Sequence, residues 1–366
     1  MSWEAAMRRA LELAGDGRYG ASPNPLVGAI VLDRDGNVAG EGAHRRCGGP
    51  HAEVEALAAA GERARGGTVV VTLEPCAHHG RTPPCVDALV AAGVGRVVTG
   101  SRDPNPQVDG RGVTALRAAG IEVVEGVEAE ACQALNRRYV HWVRSGRPFV
   151  AAKVAMTIDG KIAARGGRAR WITSPEARRE GHALREEYDA VLVGIGTVLA
   201  DDPRLLRHLG LNPEPGVRRV VLDSTLRTPP DATLLGERAQ DVVIFCRHAE
   251  AARRRALERS GATVVEVGDD GHGRCDLGEA LRWLGGRQVS SLLVEGGGEV
   301  HWAFFHEGLV QRLYAFVAPL VLGGREAVPA VGGAGFATPQ AGVRLTFTEV
   351  RQVGGDLAVV AEVAGV

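Results

Sequence analysis

The sequence predicts an α/β protein made of two consecutive domains, and three observations predict it. At 366 residues the chain is longer than one hydrophobic core commonly organises. Short β-branched apolar runs alternate with helical patterns, as in a layered domain around a largely parallel sheet. After residues 144–148, a linker built of Arg, Ser, Gly and Pro, the alternation starts again. The boundary is drawn between positions 146 and 147.

Residues 3–15 set Ala, Met and Leu at helical spacing and stop at Gly15. Ser22-Pro23-Asn24-Pro25 is a turn, 26–31 a buried strand, and Asp35-Gly36-Asn37 a hairpin turn. A helix over 51–60 carries His51 and Glu53 in its first turn. Strands follow at 68–72, 94–100 and 121–124, with helices at 86–93, 114–119 and 128–143. In the second half the strands are 149–156, 189–193, 220–223, 242–245, 263–267 and 291–294. Helices are expected at 174–187, 277–284 and 300–305. The β runs 313–321 and 345–363 end the chain, the last folded on itself at Gly354-Gly355-Asp356.

Composition excludes several classes. Basic and acidic side chains balance at 43 against 44 and aromatic residues are 4% of the chain, so no basic, ring-studded face for a polynucleotide is expected. Of six cysteines, Cys76 and Cys85 have a metal explanation, while Cys47, Cys132, Cys246 and Cys275 are scattered like small apolar residues. That usage implies a reducing compartment. Residues 1–9 lack the apolar core of a secretory signal and no apolar run has transmembrane length, so a cytoplasmic protein without a membrane partner is expected.

The chemistry concentrates at His51-Ala52-Glu53, Glu74-Pro75-Cys76 and Cys85. An imidazole and two thiolates are ligands that zinc accepts, leaving its fourth tetrahedral position for water. A Glu two residues after the His supplies the base and acid that such a water needs. H-x-E followed by P-C and a second Cys is the pattern of zinc deaminases of nucleobase-like rings. Here eight residues, 77–84, separate the cysteines in place of two. A thiolate at Cys85 is favoured by the helix N-terminus beside it. A purely structural zinc would recruit a fourth ligand from His44, His78 or His79; otherwise these line the pocket above the metal. Asn24 and Asn105, each in a Pro-bracketed turn, are placed to bond ring edges. In the second half, a strand running into Gly296-Gly297-Gly298 and then a helix is a phosphate-binding arrangement, and Gly194-Ile195-Gly196-Thr197 is a second strand-to-glycine turn. Two such turns point to a dinucleotide, with Arg185 and Arg207 assigned to a substrate phosphate.

With these residues in hand, nearly the whole chain resembles the bifunctional riboflavin-biosynthesis deaminase–reductase family. The first half is similar in Pro23-Asn24-Pro25-x-Val27-Gly28, Pro50-His51-Ala52-Glu53, Glu74-Pro75-Cys76-x-His78-x-Gly80-Arg81-Thr82-Pro83-Pro84-Cys85 and Asp103-Pro104-Asn105-Pro106. The second half is similar in Lys153-x-Ala155-Met156-Thr157-x-Asp159-Gly160, Trp171-Ile172-Thr173, Gly194-x-Gly196-Thr197-Val198-x-x-Asp201-Asp202-Pro203, Leu222-Asp223-Ser224 and Glu295-Gly296-Gly297. The resemblance implies a cytidine-deaminase-like three-layer domain over 1–146, a zinc-dependent pyrimidine deaminase. It implies a dihydrofolate-reductase-like domain over 147–366, an NADPH-dependent reductase. Carried over by position, it implies zinc on His51, Cys76 and Cys85, with Glu53 catalytic and the deaminase substrate against Asn24, His44, Asp103 and Asn105. NADPH would touch Ala155, Trp171, Thr197, Asp201, Ser224, Gly297 and Gly298, and the reductase substrate Ala169, Arg185, Leu205, Arg207 and Glu295. Two positions depart from the family. Ala169 replaces a Ser, and Leu205-Leu206-Arg207 is one residue shorter than Leu-x-x-Arg, so Arg207 and His208 compete for the last position. The implied reactions are hydrolytic deamination of a phosphorylated diaminopyrimidine, then hydride transfer to its ribosyl group, with Asp201 or Glu295 assisting. Homo-oligomerisation through the reductase domain is also implied.

Overall fold

The computed structural model describes residues 1–80, 82–212 and 216–364. It divides into two compact units, Met1–Gly146 and Arg147–Val366.

The first unit runs α1 (Trp3–Ala14), β1 (Gly28–Leu32), β2 (Val38–Ala43), α2 (Ala52–Ala60), β3 (Thr68–Leu73), α3 (Cys85–Ala92), β4 (Arg96–Ser101), α4 (Arg111–Ala118), β5 (Glu122–Glu125), α5 (Ala129–Leu135) and α6 (Arg137–Ser145). The sheet order is β2-β1-β3-β4-β5. Strand side chains alternate between faces. Ala29, Val31, Val69, Val71 and Val97 pack with Ala52, Ala56 and Ala60 of α2, Leu89 of α3 and Leu116 of α4. Ile30, Leu32, Val70 and Val98 turn the other way, against Ala6, Met7 and Ala10 of α1 and Cys132 of α5. Burial on both faces is why these strands read as unbroken apolar runs.

Two expectations are corrected here. The sheet is mixed: β3, β4 and β5 are parallel, but β1 pairs antiparallel with both β2 and β3. The hairpin turn forces the first of these reversals, its backbone held by Asp33 Oδ1, which accepts from the amides of Asp35 and Asn37. The single helix expected over 128–143 is two helices meeting at Asn136. The buried Asn136 amide grips the backbone of Leu26, accepting from its N–H at 2.7 Å and donating to its carbonyl at 2.8 Å. The break thus secures the turn that carries Asn24.

The second unit contains β6 (Phe149–Thr157), β7 (Lys161–Ala163), α7 (Pro175–Glu187), β8 (Ala190–Gly194), α8 (Ile195–Asp201), β9 (Arg218–Leu222), α9 (Thr233–Gly236), β10 (Val242–Cys246), α10 (Ala251–Arg259), β11 (Thr263–Glu266), α11 (Leu277–Gly285), β12 (Ser291–Val294), α12 (Gly298–His306), β13 (Arg312–Ala318), β14 (Val328–Pro329), β15 (Leu345–Val353) and β16 (Asp356–Val363). Nine strands form one sheet, β11-β10-β9-β8-β12-β6-β13-β16-β15; β7 and β14 pair separately. The ladder from β11 to β13 is parallel and the terminal β15–β16 hairpin is antiparallel. From β8 the chain moves outward through β9, β10 and β11, then returns to insert β12 between β8 and β6. Strand order reverses there, and the crevice beyond the carboxyl ends of such strands is where open α/β sheets bind ligands. The expected glycine turn over 194–197 is shorter than read from the sequence, because α8 begins at Ile195 with Gly194 as its N-cap.

Candidate functional site

In the first unit β3 delivers Cys76 and α2 delivers His51 and Glu53. Glu74, at the end of β3, accepts hydrogen bonds from the amides of Gly110, Gly112 and Val113 at 3.0, 3.0 and 3.2 Å. A carboxylate there satisfies the free N–H groups that begin α4, a role Gly110 has no side chain to fill. The preceding strand is thereby fixed next to Cys76. His51 is the N-cap of α2, one step before the first turn where it was expected, and Glu53 lies inside that turn, 3% exposed. Cys85 opens α3 and donates its backbone N–H to Cys76 Sγ at 3.3 Å.

Nδ1 of His51 lies 3.0 Å from Cys85 Sγ and 3.7 Å from Cys76 Sγ, and the three ligand atoms fall within 4.8 Å of one another. One imidazole nitrogen and two sulfurs, half-buried to buried, are a donor set that fits zinc. Hydrogen bonding from Cys85 holds the Cys76 thiol well below its usual range against the opposing effect of burial. The same bond and burial push the Cys85 thiol up, so the thiolate expected at Cys85 is favoured on Cys76 instead. Burial pushes the Glu53 carboxyl up, which suits a group that must both accept and return a proton.

The expected substrate side chains divide. Asn24 Nδ2 sits 3.0 Å from His44 Nε2, and the His44 ring meets the His51 ring edge-on at 5.2 Å. Asn24 and His44 are therefore brought beside His51. His44 Nδ1 also faces the Pro50 carbonyl at 2.9 Å, which ties the ring to the loop before His51. His78 is half-buried with Nδ1 lacking a protein partner, while His79 is exposed. Asp103 accepts from Tyr139 Oη at 3.0 Å and from the Asn105 amide at 2.9 Å, and burial raises its carboxyl to about 6. Asn105 Oδ1 accepts from the Gln107 amide. Arg81 of the inter-cysteine segment lies outside the described residues.

In the second unit the strand ends converge as the topology requires. A Cβ built on Gly194 or on Gly296 would fall 2.7 and 2.8 Å from Val300, so the turns after β8 and β12 share one packing partner. Gly297 caps α12 without a side-chain hydrogen bond, and a Cβ there meets nothing within 4 Å, as it would at Gly196. Gly298 is closed, its would-be Cβ 2.5 Å from the Pro329 carbonyl oxygen. Open glycines on adjacent strand ends, one at a helix N-terminus, fit the phosphates of a dinucleotide. Thr197 is half-buried in the first turn of α8, Asp201 is exposed at its end, and Ser224 Oγ lies 3.7 Å from Cys275 Sγ. Ala155 packs beside Phe316, whereas Trp171 is 67% exposed under the Arg178 guanidinium. Ala169 is half-buried in the segment before Trp171.

Glu295, one residue past β12, accepts from Arg185 at 2.6 and 3.1 Å and from Lys153 Nζ at 3.4 Å. Burial raises its carboxyl, but the charges of Arg185 and Lys153 outweigh burial and hold it at about 2. Arg185 therefore faces a carboxylate in this structure. Arg207, also expected on a phosphate, donates to the carbonyls of Arg185, Gly216 and Tyr188 at 2.9, 2.6 and 2.7 Å. It acts as a cation capping the C-terminal end of α7. The side chain of Leu205, 3% exposed, belongs to the core. His208, the competing residue, is exposed and stacks edge-on against His182 at 4.6 Å. Sequence reasoning assigned no role to Lys153, although a lone Lys inside the apolar run 149–156 is the signal that marks it.

Residues 1–101 match the model of the cytidine and deoxycytidylate deaminase zinc-binding region, and residues 148–359 match that of the RibD C-terminal domain. The riboflavin biosynthesis protein RibD of Actinobacillus pleuropneumoniae is 40% identical over 351 residues, which cover 96% of this chain and 93% of that protein. The chain belongs to the RibD family. Solved RibD structures agree along the whole length. RibD of Acinetobacter baumannii gives a TM-score of 0.89 at 36% identity, with 99% of each chain covered. A Thermotoga maritima protein described as a diaminohydroxyphosphoribosylaminopyrimidine deaminase/5-amino-6-(5-phosphoribosylamino)uracil reductase gives 0.86 at 36% identity, again covering 99% of each. The chain is thus a deaminase and a reductase of riboflavin biosynthesis, with the fold of RibD.

Proposed function

We propose that unit Met1–Gly146 hydrolytically deaminates 2,5-diamino-6-ribosylamino-4(3H)-pyrimidinone 5′-phosphate. Unit Arg147–Val366 then uses NADPH to reduce the ribosyl group of 5-amino-6-(5-phosphoribosylamino)uracil to ribityl. The observation that carries the reading is the convergence of His51, Cys76 and Cys85 around one point with buried Glu53 beside them.

One zinc per chain, held by these three residues, would lower the pKa of a bound water and supply the nucleophile. The protein's own task is proton handling. Glu53 takes one proton from water and gives it to the ring nitrogen, then takes the second from the added hydroxyl and gives it to the amino group, which departs as ammonia. Asn24 and His44 orient the ring from the side facing His51. In the second unit NADPH, when bound, supplies the hydride. Gly196 and Gly297 leave room for its backbone-bound phosphates. Glu295 is held ionised by Arg185 and Lys153, so it accepts hydrogen bonds from sugar hydroxyls and is not the proton donor. We further propose a cytoplasmic protein that acts as a homo-oligomer. Among the described residues the cysteines form no disulfide, and no helix is long and apolar enough to cross a membrane.

The test compares Glu53→Gln with the parent. Zinc content, ammonia release from the phosphorylated diaminopyrimidine, and NADPH oxidation on adding the deaminated intermediate are followed. The expected outcome is retained zinc, ammonia release down by roughly 10²–10⁴-fold, and unchanged NADPH oxidation. Ammonia release at the parent rate would remove Glu53 from the mechanism and with it the deaminase reading of this site.

A further inference from the structure

His51 shows its two ring nitrogens to different partners. Nδ1 faces the sulfurs, at 3.0 Å from Cys85 and 3.7 Å from Cys76, while Nε2 lies 3.1 Å from Thr82 Oγ1. A neutral imidazole carries one proton, and the nitrogen that gives its lone pair to a metal cannot hold it. Nδ1 is the atom pointing at the other two ligands, so the ring proton belongs on Nε2. Thr82 Oγ1 is then its acceptor.

The rest of the loop agrees with that assignment. Residues 77–84 form the long insertion between the two cysteines, and Thr82 lies within it. The insertion is pinned where it matters. The Val86 amide donates to the Cys76 carbonyl at 3.2 Å, the Cys85 amide donates to Cys76 Sγ at 3.3 Å, and the Gly80 amide closes on the Thr82 carbonyl at 3.2 Å. Thr82 is itself half-buried. His44, the other ring beside His51, meets it edge-on and has Asn24 and Pro50 as its own partners. Among the described residues Thr82 is the hydrogen-bond partner recorded for Nε2.

We propose that Thr82 is a positioning residue of the metal site: its hydroxyl accepts the Nε2 proton of His51 and fixes the tautomer and ring plane that present Nδ1 to the metal. The inference rests on the zinc-deaminase reading and gives the inter-cysteine insertion a purpose. Outer-shell partners of metal-binding histidines commonly change metal affinity by 10–100-fold when removed. The full-length chain serves for the test, with Thr82→Val removing the hydroxyl and Thr82→Ser keeping it. Zinc dissociation constants are measured by competition with a chromophoric chelator, and the melting transition of the deaminase unit in the same chains reports its folding. Thr82→Val is expected to bind zinc roughly 10–100-fold more weakly, and Thr82→Ser to return near the parent value. Should Thr82→Val not fold, Thr82→Ala gives the same comparison without a branched apolar side chain. Parent-like affinity in the hydroxyl-free variant, or equal losses in Thr82→Ser and Thr82→Val, overturns the proposal. A parent chain that takes up no zinc would instead overturn the zinc-deaminase reading beneath it.

Discussion

Glu295 sits between two cations and is almost wholly buried, its side chain 7% exposed. Its folded-state pKa of about 2 lies below the ordinary 4.5, so the stabilisation it gives is complete above pH 4.5 and is lost as pH falls through about 2. A depression of that size corresponds to about 3 kcal/mol. Glu295→Gln leaves Arg185 and Lys153 buried without a counter-charge, at a cost of about 3–5 kcal/mol. Urea midpoints for the reductase unit should therefore fall between pH 5 and pH 3 in the parent, and be lower but flatter in Glu295→Gln. Equal acid sensitivity in both chains would show that the carboxylate does not govern this limb. At this scale the sequence is legible where chemistry dictates residue type. Few side chains ligate zinc, so His51, Cys76 and Cys85 stand out in a plain reading. Roles that depend on what lies opposite in space do not show. Nothing local distinguishes Arg207, spent on three carbonyls, from an Arg awaiting a phosphate, and Thr82 is one hydroxyl in a loop.

The position of α2 depends on two glycines of β2. A Cβ on Gly42 would overlap the Ala52 carbonyl oxygen and lie 2.5 Å from the Ala56 nitrogen, and one on Gly40 would lie 2.7 Å from the Ala60 nitrogen. Ala52, Ala56 and Ala60 recur every fourth residue, so the helix lays a ridge of small side chains against a strand that has none at the contact. This close approach carries His51 and Glu53 to the sulfurs. Gly42→Ala must push the helix outward, with an overpacking cost of roughly 1–3 kcal/mol. The deaminase unit should melt earlier and bind zinc less tightly, while NADPH oxidation stays at the parent level. A Gly42→Ala chain with parent melting and full ammonia release would show that the contact yields freely. The elements themselves were readable because strands buried on both faces leave continuous apolar runs, as at Val69–Val70–Val71. Direction was not readable. Whether β1 runs with or against β3 is a matter of crossover, and the break at Asn136 follows from a hydrogen bond to Leu26, 110 residues away.

Each unit has cores of its own, and in the second, among the described residues, β15 ends the sheet with no further strand paired to it. β15 is nine residues long and eight of them are exposed, with Phe347 at 69% and Val350 at 58%. Leu357 on the adjoining β16 adds another exposed apolar side chain. An unpaired strand edge offers a row of free N–H and C=O groups, and single chains usually blunt such edges with short strands, charges or a covering loop. Here Glu349 and Arg351 supply some charge, but Arg351 is already paired with Glu180 and Glu349. A second copy of the chain is the occupant that the proposed homo-oligomer supplies, burying the apolar side chains of this edge. A stable pairing of this kind buries at least about 1,000 Å² in total. Sedimentation velocity at micromolar concentration should then show a dimer for the parent. Phe347→Lys alters a solvent-exposed side chain without touching either core, so it should shift the chain to monomer while ammonia release per chain persists. A parent that sediments as a monomer across that range, or a Phe347→Lys dimer indistinguishable from it, would remove β15 from the assembly.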